Sequence, residues 1–145
     1  MKALYTIIFS LFIFTFLHAA ESQLTVQIKG IKDIEGNIMF AMYDSADAFN
    51  NDGKPVKVER LKVTDHNMTI EYNDLKPGTY GIMLYHDKNS NNKLDSLPLI
   101  GIPLEAYGVS NNPKLLGSPS FDVAAFKVEA GGNEQIIYLS EKPKK

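Results

Sequence analysis

Leu24-Thr25-Val26-Gln27-Ile28-Lys29 decides how this chain folds, because apolar and polar side chains alternate through it without a break. Successive side chains of an extended strand point to opposite faces, so such a segment seals one face on a core and leaves the other to water. Met68-Thr69-Ile70-Glu71-Tyr72 repeats the pattern. Asn37 to Tyr43 (NIMFAMY) and Tyr80 to Tyr85 (YGIMLY) are apolar at both parities, as central strands covered on two sides are. Val56 and Val58 occupy one parity, Leu61 and Val63 the other, which predicts a bulge or bend at Glu59-Arg60. Ala124 to Val128 and Gln135 to Leu139 bring the expected strands to about seven.

Turn residues punctuate these strands. Glu35-Gly36-Asn37, Asp65-His66-Asn67 and Gly131-Gly132-Asn133 are expected to link the first and second, third and fourth, and last two. Asp44 to Asn50 suits one helical turn, with Asp44 or Ser45 as its N-cap. No stretch carries a long 3.6-residue period, which argues against parallel βαβ units. The expected fold is all-β: an antiparallel sandwich of about seven strands, immunoglobulin-like or transthyretin-like. In Leu75-Lys76-Pro77-Gly78-Thr79-Tyr80, Pro and Gly set a tight corner, and Tyr80 is placed to bury its ring and bond its hydroxyl to nearby backbone.

One segment departs from the rhythm. His86 to Ser120 has little strand pattern, yet it carries Leu97, Leu99, Ile100, Ile102, Leu104, Tyr107, Leu115 and Leu116. A disordered linker is poorer in apolar residues. This long loop is therefore expected to be ordered and packed over one end of the sandwich.

The N-terminus reads as a secretory signal peptide over residues 1–20. Lys2 precedes an apolar run from Ala3 to Leu17, and cleavage falls after Ala19 or Ala20. That run is shorter than the roughly 20 residues needed to span a bilayer, so no stable membrane span is expected after cleavage. The expected destination is the periplasm or the exterior. With no cysteine, neither a lipid-anchored N-terminus nor disulfide staples are available. The β-sandwich domain is placed at 21–140 and a solvated basic tail, Lys142, Lys144 and Lys145, at 141–145. Without Lys2, fourteen basic groups face seventeen acidic ones, a net of −3, which argues against a nucleic-acid partner.

The long loop opens with the densest chemistry in the chain. In Asp87-Lys88-Asn89-Ser90-Asn91-Asn92-Lys93-Leu94-Asp95, oxygen side chains stand at relative positions 1, 3, 5 and 9. An EF-hand-like loop converges such residues on calcium and takes a backbone carbonyl from position 7, here Lys93. Asn92 stands where glycine is usual and tolerates positive φ. Pro98 occupies position 12, so the bidentate glutamate is missing there; Glu105 is the candidate to replace it. The same Asp and Asn residues are also good turn formers, and both readings stay open. Calcium is the one cofactor suggested; with no cysteine and few histidines, zinc is disfavoured.

His86-Asp87-x-Asn89-x-Asn91-x-Lys93-Leu94-Asp95, Gly101-Ile102-Pro103-x-Glu105-x-Tyr107-Gly108-x-Ser110-Asn111-Asn112 and Pro119-Ser120-Phe121-x-x-Ala124-Ala125-Phe126 together resemble an exported bacterial family, domain of unknown function 2141. The resemblance runs from about Leu24 to Leu139 and implies an exported β-sandwich, without bringing an activity. Glu105-Ala106 departs from the Glu-Gly often found in that family.

Three functions remain in view. The first is a non-enzymatic exported module whose calcium-organised loop binds a ligand or partner, with His86, Tyr107, Asn111 and Asn112 as candidate contacts. The second is a hydrolase using His86 and loop carboxylates with Ser110, Ser118 or Ser120, though no nucleophile elbow is present and no catalytic residue is assigned. The third is a structural or adhesive module acting through a sheet edge.

Overall fold

The computed structural model describes residues 22–98, 101–115 and 117–140. The expected signal segment, the basic tail, and Leu99, Ile100 and Leu116 of the long loop lie outside the described residues. Among the described residues no helix is long and apolar enough to cross a membrane.

The chain runs β1 (Ser22–Lys29), β2 (Asn37–Tyr43), α1 (Ala46–Asn50), β3 (Lys57–Lys62), β4 (Asn67–Leu75), β5 (Gly78–Asp87), β6 (Tyr107–Val109), α2 (Phe121–Ala124), β7 (Phe126–Val128) and β8 (Gly131–Tyr138). Two sheets face each other: β4-β1-β8, and β3-β2-β5-β6 with β7 also paired to β5. The all-β sandwich is as the alternation predicts. Leu24, Val26 and Ile28 of β1 are fully buried, and they meet Ile38, Phe40 and Met42 of β2 and Ile82 and Leu84 of β5 in one core. Burying each such side chain contributes about 1.5–3 kcal/mol.

Four features differ from expectation. The pairing is antiparallel except between β1 and β8, which run parallel; strands so far apart in sequence need no hairpin and are free to pair in that sense. There is no bulge at Glu59-Arg60. β3 pairs with β2 in unbroken register from Lys57↔Met42 to Lys62↔Asn37, so Val58 and Leu61 serve opposite faces rather than one face through a slip. Gly131, Gly132 and Asn133 begin β8 instead of forming a turn, and Asn133 closes the preceding bend by exchanging hydrogen bonds with the Glu129 backbone. The long loop holds a strand, β6, and lies against the outer face of the second sheet rather than over the end of the sandwich.

That outer face explains the two-sided apolar strands. Gly81, Met83 and Tyr85 of β5, with Met39, Ala41 and Tyr43 of β2, point away from the main core. A second apolar cluster covers part of this face: Phe49 of α1, Val109 of β6, and Phe121 and Ala124 of α2. Gly81 makes room for it, since a Cβ there would come within 3.2 Å of both the Phe49 and Phe121 rings. Ser45 caps α1 by accepting from the Ala48 N–H. Tyr80 turns the corner as expected, donating its hydroxyl to the Lys76 carbonyl at 2.8 Å.

Candidate functional site

The loop after β5 starts from a rigid strand end. Asp87 pairs with Asn37 as the last rung of the β2–β5 ladder. Its neighbour across the ladder, Gly36, has φ +65° and lies so close that a Cβ would stand 2.1 Å from the Asp87 carbonyl oxygen. Lys88 ties the loop to the β1–β2 connection, reaching Asp33 at 2.6 Å and Glu35 at 3.1 Å. This contact holds the Asp33 carboxyl below its ordinary range and the Lys88 ammonium above its own.

The Asp87 side chain is fully buried. One carboxylate oxygen accepts the Asn91 N–H at 3.0 Å and the other the Asn92 N–H at 2.9 Å. Ser90 and Asn92 adopt positive φ, 60° and 64°, which coils the backbone around this carboxylate. Asparagine tolerates that conformation better than most residues. Asp95 closes the loop, accepting Asn89 Nδ2 at 2.7 Å and Asn91 Nδ2 at 3.0 Å. Glu105, also buried, spans both ends: it accepts the Lys88 N–H and the Asp95 N–H, each at 3.1 Å. Asp87, Asn89, Asn91, Asp95 and Glu105 are thus brought into one hydrogen-bonded knot. Tyr85 records the charge gathered there. Burial first, then Asp87, Glu105 and Asp95, push its phenol above the ordinary range.

Among the described residues no group of three or more His, Cys, Asp or Glu side chains is placed to hold a metal ion by itself. The knot offers mixed oxygen donors, carboxylates and Asn carbonyls, which suit a hard cation such as calcium.

The other candidates are placed differently. His86 is buried on the core side of β5, opposite to Asp87, and a ring nitrogen lies 2.8 Å from the Glu35 carbonyl oxygen. Ser110, completely buried, accepts the Ile82 N–H and donates to the Ala124 carbonyl. Asn111 braces α2 by donating to Val123 and Ala125 carbonyls. Asn112 clips onto β8, donating to the Ile136 carbonyl at 2.7 Å and accepting the Tyr138 N–H at 2.8 Å. These side chains hold the long loop in place. Of this group Tyr107 opens onto the main cavity.

That cavity is a groove of about 790 Å³ between the outer face of the second sheet and the long loop. Met39, Tyr85 and Val58 form its floor, and Ile102, Tyr107 and Leu115 its walls. Sequence patterning singles out Tyr107 among them and passes over the rest. Their signal was the second apolar parity of β2 and β5.

No curated protein and no solved structure matches the chain. A family profile does match, over residues 26–137, and covers both sheets, the knot and the long loop. The chain belongs to the bacterial family described as "Uncharacterized protein conserved in bacteria (DUF2141)".

Proposed function

We infer that this protein is an exported, non-enzymatic binding module whose long loop is its binding element, organised at its base by calcium. The observation that carries the reading is the Asp87 carboxylate, fully buried and wrapped by the amides of its own loop, with Asp95, Asn89, Asn91 and Glu105 around it. Lys88, the nearest cation in sequence, is turned away to Asp33 and Glu35. A hard cation entering the knot would replace the Asn89 and Asn91 amide donors on Asp95, and the two Asn carbonyl oxygens would turn inward as ligands. Export is supported by the signal-like segment at residues 1–20. A hydrolase reading loses its base, because His86 is committed to a backbone carbonyl on the far side of β5.

The test is a calcium titration followed by thermal unfolding. Loops of this donor count in extracellular modules bind at about 10⁻⁴–10⁻³ M. At 10 mM calcium the native state then gains about 1.4–2.7 kcal/mol by mass action, read as a midpoint rise of about 5–10 °C. Asp87→Ala and Asp95→Ala lose the rise. An unchanged midpoint in the wild-type protein at 10 mM calcium refutes the reading.

A further inference from the structure

We propose that the groove between the outer sheet face and the long loop binds an uncharged, predominantly apolar small molecule. The proposal shares with the calcium reading only the idea that the long loop is a binding element; it does not need the ion.

Four observations carry it. First, every described residue bordering the groove is apolar, aromatic, Gly, Pro or Ser, and none of them bears a charge or an amide side chain. A charged ligand buried there would lose its hydration without a partner, which costs several kcal/mol. Second, the volume of about 790 Å³ falls in the roughly 300–1,000 Å³ range of small-molecule sites. Third, the groove is walled. Gly101, Ile102 and Pro103 on one side, and Leu115, Gly117, Ser118 and Pro119 on the other, rise from separate parts of the loop over a floor of β2, β3 and β5. A walled concavity suits a small molecule better than a flat protein surface. Fourth, Val58 sits on the edge strand β3 at 63 % exposure, facing the groove in unbroken register. The sequence spends an apolar side chain there that the main core does not use.

The chemistry of the lining narrows the ligand. Met39 and Met83 are flexible and polarizable, and they adapt to irregular apolar shapes. Tyr43, Tyr85 and Tyr107 present rings to stack on. A phenol is neutral at neutral pH and can bond one hydroxyl or carbonyl of the guest. An elongated or flat neutral molecule with a single polar group fits this set.

The test uses the neutral dye N-phenyl-1-naphthylamine, whose emission rises in apolar surroundings, measured once in calcium and once in EDTA. The expected result is saturable one-to-one binding, displaced by a neutral long-chain alcohol. Val58→Asp puts a charge into the edge-strand side of the floor and should weaken binding at least tenfold, and Ala41→Phe should fill the floor's centre and abolish it. Val123→Asp, an exposed position outside the groove, should bind like wild type. If Ala41→Phe fails to fold, Val58→Asp decides. Absence of saturable binding overturns the proposal. So does equal binding by wild type and Val58→Asp, or dye uptake that follows dimer formation in sedimentation. Binding that persists in EDTA while calcium leaves the melting point unchanged would sink the calcium reading and keep this one.

Discussion

Asp87→Ala should destabilise the protein by about 2–4 kcal/mol even without calcium. The carboxylate is fully buried and accepts two backbone amides. A hydrogen bond to a charged group contributes about 1.5–3 kcal/mol, so the gross loss is about 3–6 kcal/mol. Two effects offset part of this. The Asn91 N–H keeps a second acceptor, Asn89 Oδ1 at 3.0 Å. Removing one negative group also relieves repulsion from Asp95 and Glu105, worth about 1 kcal/mol per pair at near-aqueous dielectric. What remains is a large share of the roughly 5–15 kcal/mol that holds a domain together. The comparison is Asp95→Ala, whose partners are two exposed Asn side chains; it should cost under about 1 kcal/mol. Urea unfolding in EDTA, followed by far-ultraviolet circular dichroism, gives both values if the slope m is unchanged. Asp87→Ala within 0.5 kcal/mol of wild type, or less damaging than Asp95→Ala, would refute the view that the loop is built around this carboxylate.

Other outcomes follow from single residues. Gly36→Ala combines positive φ, costing about 1–2 kcal/mol, with a Cβ 2.1 Å from the Asp87 carbonyl oxygen. Gly131→Ala has φ +99° and open space, so in urea titrations it should lose only the conformational part and Gly36→Ala at least twice as much. Tyr80→Phe removes the corner bond to the Lys76 carbonyl and should cost about 0.5–1.5 kcal/mol in the same assay. Tyr72 is buried, and its hydroxyl has no partner among the described residues, so Tyr72→Phe should be neutral or stabilising by up to about 1 kcal/mol at pH 7. Burial raises the Tyr72 phenol well above the ordinary value of 10.0. Its folded form holds the proton while the unfolded form releases it, so wild-type stability is full below pH 10 and falls as pH rises beyond it, by up to about 1.4 kcal/mol per unit. Denaturation midpoints from pH 8 to 11.5 should show a shallower decline for Tyr72→Phe.

The sandwich was legible because one face of each main strand had to be sealed. Leu24, Val26 and Ile28 name their own core, and the Pro77-Gly78 corner names Tyr80. The knot was legible as a spacing of oxygen side chains; Glu105, expected as a further calcium ligand, meets it through the Lys88 and Asp95 backbone amides, although ten residues separate it from Asp95 in sequence. What patterning could not reveal was what covers a second apolar face. Met39, Met83 and Tyr85 announce only that they are covered; a three-residue strand and two single-turn helices do the covering, too short to leave a period. Val58 misled for the same reason. Its parity read as a slip because the face it serves lies outside the main core. Asn111 and Asn112 read as ligand contacts, since an exposed amide pair in a loop gives no hint that backbone carbonyls of α2 and β8 will use it.

The parallel pairing of β1 with β8, from Ser22↔Gly131 to Lys29↔Tyr138, joins the first strand to the last. A chain made N-terminus first displays Leu24, Val26 and Ile28 long before Ile137 exists to stand beside them in the same sheet. The seam closes only when the final segment arrives, and closing so large a loop is slow. A polypeptide wired this way completes its first sheet last.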